Sequence, residues 1–382
     1  MRALFQLTVV AASLLGAVPA LAQQTVLIGV PAELSGSGGG DGTHWKNGVD
    51  LAVSEINAKG GILGRKIETI SQDTQSNPGI ARAVVQKMLD QAPYAIVGPV
   101  LSSECRVVMI VTEQAETPLF CGGENADLTS KGNQYYFRTS LAQQFSLPVL
   151  ANYIRDVAKA KTIVILWEND VAGKGSRDVM YKEATERGIK VLADMPSENN
   201  QIDFSADVVK ARSYNPDAIY IHLREPDTAR FLKEYRRQGV TIPLIGDTTL
   251  LSQHVIDLAG DAAEGVKGYV GLSADAPMPG FSQFRKKYER YGSIPDHNAI
   301  KGYIAIYAIK YTTEKMGKFD KKELARIMHD QTILAKDEPG MLLDTTWDKN
   351  GDIDRESFMV EIAGGKHKVI EILPRRVKVG AP

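Results

Sequence analysis

The chain has little of what reactive or polyanion-binding proteins carry. Only two of its 382 residues are cysteines, Cys105 and Cys121, so the CxxC-type spacing of a zinc or redox site is absent. Its six histidines, His44, His222, His254, His297, His329 and His367, fall in no HExxH or HxH context. No GxSxG exists, so a nucleophile elbow is missing, and no GK[ST] exists for a phosphate-binding loop. Basic residues number 45 against 46 acidic ones, which leaves no electrostatic footprint for nucleic acid or an anionic membrane. Low-complexity tracts and repeats are also missing.

Long apolar runs occur once, at the start. MRALFQLTVVAASLLGAVPALAQQ has an early Arg2, an apolar stretch from Ala3 to Val18, and Ala20-Leu21-Ala22 before Gln23. This reads as a secretory signal over residues 1–22 with an A-x-A cleavage site, and an exported, periplasmic chain is expected. No later run approaches the roughly 20 apolar residues of a membrane span. In an oxidising compartment Cys105 and Cys121 can pair, and a disulfide and two buried thiols are both open.

What remains is an alternation. Apolar, β-branched runs (TVLIGV, KIETISQD, YAIVGPV, TPLFCGG) alternate with helical patterns, and after FRTSLAQQ a second series begins at KTIVILWEND. Strand-helix repeats of this kind predict parallel sheets covered on both faces by helices. Two series in one chain predict two lobes with a cleft between them. Ligands of such sheets sit at the carboxyl ends of the strands, so the informative stretches are 33–45, 98–105, 121–129, 167–175, 222–227 and 246–252.

The glycine-rich ELSGSGGGDGTHW fails the dinucleotide pattern, because Asp41 and Thr43 stand where glycine is required. It reads as a flexible turn. GPVLSSEC places Ser102 and Ser103 at a helix N-terminus, an arrangement suited to a carboxylate or to simple helix capping. DKNGDID resembles the opening of an EF-hand loop, but Ile353 and Met359 replace the required glycine and glutamate. It reads as a polar turn, and no cofactor or metal is expected.

Several ordered motifs then carry a resemblance. VLIGVPAELSGSGGGDGTHWKNGVDLAVSEINAKGGILGRKI, DTQSNPGIARAVVQKML, YAIVGPVLSS, PLFCGGENADLT, YYFRTS and IPLIGDTTL together resemble the periplasmic leucine/isoleucine/valine-binding proteins of ABC transporters. The resemblance implies an α/β fold of two Rossmann-like lobes, the type I periplasmic-binding fold, joined by a three-strand hinge near 139–146, 271–277 and 342–350. Lobe 1 would comprise 23–141 plus 273–345, and lobe 2 would comprise 142–272 plus 346–382.

It also implies that the lobes close on a small carboxylate ligand and present it to a permease in the inner membrane, with no catalysis. A monomer is expected, and a sensory subunit is the rival role. The family's carboxylate-binding serine falls on Ser102, with Leu101, Gly122 and Gly123 completing that cradle. Its second-turn threonine falls on Glu124, its cleft tyrosines on Asp41, Ala172 and Arg224, and its ammonium-pairing glutamate on Thr248, beside Asp247. These departures favour an aromatic or branched aliphatic organic acid over a free amino acid, unless Glu124, Asp41 or Asp247 has taken over the ammonium. Arg224 would suit a second acidic group or be salt-bridged, to Glu225 or Glu124. Trp45 and Trp167 are placed to stack on an apolar ligand body or to be buried in packing.

Overall fold

A computed structural model of the protein describes residues 25–376, and the expected leader lies outside the described residues. Strand β1 (Val26–Ala32) leads through helix α1 (Gly39–Ala58) to β2 (Ile67–Asp73). Helix α2 (Pro78–Leu89) precedes β3 (Ala95–Val97), and α3 (Ser102–Gln114) precedes β4 (Leu119–Cys121) and β5 (Tyr136–Arg138). These five strands form a wholly parallel sheet in the order β2-β1-β3-β4-β5. Local chemistry sets the helix starts. Asn77 caps α2 by accepting from the Gly79 and Ile80 N–H groups, with Pro78 at the first helical position.

The second lobe follows the same rhythm. Helix α4 (Gln143–Asp156) and β6 (Thr162–Glu168) are succeeded by α5 (Val171–Glu186), β7 (Lys190–Ser197), α6 (Ser205–Ser213) and β8 (Ala218–His222). Then come α7 (Glu225–Arg237), β9 (Leu244–Gly246), α8 (Gln253–Ala259) and β10 (Lys267–Val270). The chain returns to cover the first lobe with α9 (Pro279–Tyr288), α10 (His297–Met316) and α11 (Lys321–Met328). Short strands β11 (Thr332–Ile333), β12 (Thr345–Trp347) and β13 (Ile353–Asp354) form a small sheet of their own. The hairpin β14 (Ser357–Ile362) and β15 (His367–Leu373) then completes the second sheet, in the order β15-β14-β10-β9-β8-β6-β7, pairing antiparallel to β10.

The third passage between the lobes comes later than 342–350. Residues 348–354 stay with the first lobe, because the Arg138 N–H donates to Gly351 O at 2.9 Å and the buried Arg138 guanidinium binds Asp352 at 2.7 Å. The chain crosses at 355–356, just before β14.

Helix α10 is buried along most of its length and crosses α1 at close range. A Cβ on Gly48 would stand 1.9 Å from Ala299 O, and one on Gly302 would stand 2.5 Å from Trp45 O, so only glycine permits this approach. Trp45 belongs to that core. It is fully buried, and its indole N–H donates to Val97 O at 3.2 Å. Its cleft-stacking role is therefore corrected: α1 begins at Gly39, which rotates position 45 inward against the sheet.

Candidate ligand-binding cleft

The carboxyl ends of both sheets meet around a small space of about 40 Å³ that opens to solvent, room for on the order of two waters. Lobe 1 contributes Asp41, Val100, Leu101, Ser102, Gly122 and Glu124, and α10 adds His297, Asn298 and Lys301. Gln143, Ala172, His222 and Arg224 face them from the other side.

Gly98 ends β3 at φ +116°, and a Cβ there would lie 2.2 Å from Pro31 O, so glycine is required where the chain turns into α3. Neither serine caps that helix. The cap position is Leu101, without a side-chain cap bond, and Ser102 Oγ instead accepts from the Glu124 and Asn125 N–H groups at 3.1 and 3.2 Å. That ties the β3 and β4 turns together beside the helix N-terminus. Ser103 is half-buried and does not line the cavity. Gly122 lines it. Gly123 lies behind, its carbonyl accepting from Arg138 Nη1 at 2.6 Å. Cys105 and Cys121 are joined as a disulfide, with 6.3 Å between their Cα atoms, directly under this cradle.

The charged residues are paired. Lys301 Nζ donates to Glu124 at 2.7 Å, with the lysine side chain 4% exposed. Asn298 Nδ2 donates to Asp41 Oδ1 at 2.6 Å. Arg224 is salt-bridged to Asp170 and lies 4.0 Å from Glu168, and its backbone N–H also donates to Glu168. The partners expected for Arg224, namely Glu225 and Glu124, are thus corrected to Asp170 and Glu168, which the turn after β6 brings beneath the start of α7. Burial pushes the Glu168 carboxyl up to about 7, with Arg224 opposing. Burial works hardest to raise Asp170, but Arg224, the Gly173 N–H and His222 together outweigh it and hold that carboxyl below its ordinary range.

Asp247 and Thr248 are buried but do not line the cavity. His222 covers Asp247, with Nδ1 at 2.8 Å from Oδ2. Burial alone would lower the His222 pKa, but Asp247 raises it above the ordinary value. Asp247 is in turn held low by His222 against the effect of burial. Trp167 is half-buried at the β6–β7 side, its indole N–H donating to Asp194 at 2.5 Å, and it too is absent from the cavity wall. The strand direction turns it toward β7 rather than toward the cleft.

Six residues lining the space were not named by the sequence reading: Val100, Gln143, His222, His297, Asn298 and Lys301. The last three stand at i, i+1 and i+4 in the first turns of α10, polar residues just ahead of the apolar run 302–309. That pattern was their available signal.

Comparison with known proteins agrees with this fold. A family model described as "Periplasmic binding protein" matches residues 25–366. An amino acid binding protein of Pseudomonas aeruginosa is 26% identical over 345 residues, covering 88% of this chain and 89% of that protein. In structure, the branched-chain amino acid transporter substrate binding protein LivJ from Streptococcus pneumoniae, in complex with isoleucine, superposes with a TM-score of 0.84. It is 24% identical and covers 92% of this chain and 100% of its own. A solute binding protein of an ABC transporter from R. palustris, in complex with benzoate, also gives 0.84, at 21% identity and 93% and 98% coverage. The chain belongs to the periplasmic binding protein family, and its architecture is the type I fold of these neighbours.

Proposed function

We propose that this chain is the periplasmic substrate-binding protein of an ABC importer, closing its two lobes on a small carboxylate and handing it to an inner-membrane permease. Residues 139–142, 271–278 and 355–356 serve as the hinge, and the protein works as a monomer without catalysis. The observation that carries this reading is the convergence of Ser102, at the N-terminus of α3, with Lys301, Arg224 and His222 around one small space between the lobes. A helix N-terminus, a lysine, an arginine and a histidine with N–H groups around one space favour an anion. The ligand class favoured is an aromatic or branched aliphatic organic acid. Position 248 is threonine, and Asp247 is occupied by His222, so the usual partner of an amino acid's ammonium is missing.

A second reading is supported by Asp41 and Glu124, which line the same space and would serve a relocated ammonium. Thermal melts against leucine, valine, alanine, glutamate, their oxo acids, benzoate and cinnamate separate the two. A ligand at 100 times its Kd adds about 2.7 kcal/mol, a shift of several degrees. Stabilisation by acids lacking an amine supports the first reading, stabilisation by amino acids alone supports the second, and no shift from any acid defeats both.

A further inference from the structure

The side of the cavity contributed by lobe 2 is built from a histidine backed by a carboxylate. His222 Nδ1 lies 3.0 and 2.8 Å from the two oxygens of Asp247. Asp247 is filled from behind as well. Tyr220 donates to it at 3.0 Å, the Ser176 hydroxyl lies at 3.4 Å, and the Thr249 N–H lies at 3.4 Å. A carboxylate offers about four acceptor sites, so none is left for a ligand. The other ring nitrogen, Nε2, hydrogen-bonds to no described residue, and His222 lines the cavity.

Resting on the carboxylate reading above, we propose that His222 sets the ligand class. Pinned by Asp247, it presents its Nε2–H to the ligand, so the cleft accepts acids whose second polar group is an oxygen acceptor and rejects the ammonium of an amino acid. Where leucine/isoleucine/valine-binding proteins are expected to offer a carboxylate to that ammonium, this chain offers a donor. The sign of the recognition is inverted.

The surroundings favour the charged imidazole. Burial opposes the charge, and so does Arg224 at the start of α7, but Asp247 on the β9 side and Asp170 at the start of α5 outweigh them. Tyr220 on β8 and Ser176 on α5 are neutral. Asp41, Glu124 and the α10 residues His297 and Lys301 face the same space from lobe 1, with Glu124 paired to Lys301 and Asp41 accepting from Asn298. Once deprotonated, a ring that keeps its Nδ1–H on Asp247 turns a lone pair into the cavity. The preference for an acceptor then fades as pH rises through the raised pKa of His222.

Calorimetry on the purified protein with two matched pairs tests this: 4-methyl-2-oxopentanoate against leucine, and phenylpyruvate against phenylalanine, each at pH 6 and pH 8.5. The oxo acid of at least one pair is expected to bind about 100-fold more tightly than its amino acid at pH 6. The gap should narrow at pH 8.5, and His222→Gln should abolish that pH dependence. An amino acid binding as well as its oxo acid at pH 6, or a His222→Gln variant keeping the wild-type pH profile, overturns the assignment of His222 alone. If none of the four acids binds while benzoate or cinnamate does, the carboxylate reading stands and this assignment falls; if no acid of the wider panel binds, both fall. Nitrogen NMR of the ligand-free protein gives an independent reading: an imidazolium at pH 7 is expected for residue 222, and a neutral ring there overturns the proposal.

Discussion

The Glu33 carboxylate and the Leu101 backbone N–H meet at 2.7 Å, and the same carboxylate takes the Val100 N–H at 3.0 Å. Glu33 is fully buried at the end of β1, so one acid in the first strand-helix turn holds the shape of the cradle in the third. Beside it the Glu104 carboxyl is also fully buried and makes no ordinary hydrogen bond. Burial, then the Glu33 charge, pushes Glu104 up to about 9, and burial pushes Glu33 up to about 7.

A carboxyl whose folded pKa lies above its unfolded value contributes stability that is lost as pH rises toward the folded value. Wild-type stability should therefore fall between pH 6 and pH 9, by at most about 1.4 kcal/mol per pH unit for one such group. Glu104→Gln should flatten that decline and raise Tm at pH 8.5 while leaving pH 5 nearly unchanged. Equal pH slopes for the two proteins in urea unfolding would count against a buried, protonated Glu104 carboxyl here.

Ser102→Ala removes the acceptor for two backbone N–H groups and the hydroxyl nearest the cradle. Binding of whichever acid stabilises the wild type should weaken by about 1.5 to 3 kcal/mol, about 10- to 150-fold, with the fold intact by circular dichroism. Unchanged affinity would remove Ser102 from the site.

Arg224→Met leaves Glu168 and Asp170 buried without their cation. Removing one partner of a buried pair costs about 3 to 5 kcal/mol, and urea unfolding should show it. Adding Glu168→Gln and Asp170→Asn should recover part of the loss, because the neutral amides no longer need the charge.

Gly48→Ala sets two effects against each other. Alanine gains about 1 kcal/mol in helix propensity, but its Cβ would stand 1.9 Å from a backbone oxygen of α10. Overpacking of this kind costs about 1 to 3 kcal/mol, and a backbone atom cannot rotate away, so the variant should melt below the wild type.

Opening the Cys105–Cys121 link, which spans 16 residues, should cost about 3 kcal/mol on the loop-entropy account. Chemical unfolding with and without a reductant measures it, and because the bridge lies beneath Ser102, ligand affinity should fall as well.

Much of the fold was legible because strand-helix alternation is a local signal. TVLIGV, YAIVGPV and KTIVILWEND each became the strand that its apolar run predicts, and FMVEIAGGKHKVIEI became the terminal hairpin. The cleft was harder to read. The turns containing Ser102 and Arg224 follow directly from strand ends, whereas Lys301 and Asn298 arrive on a helix nearly 180 residues further along the chain, and no spacing rule links them to Glu124. Trp45 and Trp167 misled for the same reason: a position near a turn does not say which way its side chain points, and a one-residue rotation of α1 decides between cleft and core.

The terminal hairpin has a consequence for how the molecule comes into being. Strand β10 gains its second neighbour only from β14, nearly 90 residues later, and α10 covers a first sheet whose last strand ended at Arg138. Neither lobe can be finished as its own strands emerge, and each waits for chain that is made after the other lobe has begun. Such long-range closure slows folding. A chain released early, before Ser357, would carry an open sheet edge at β10, a surface on which copies can pair with one another.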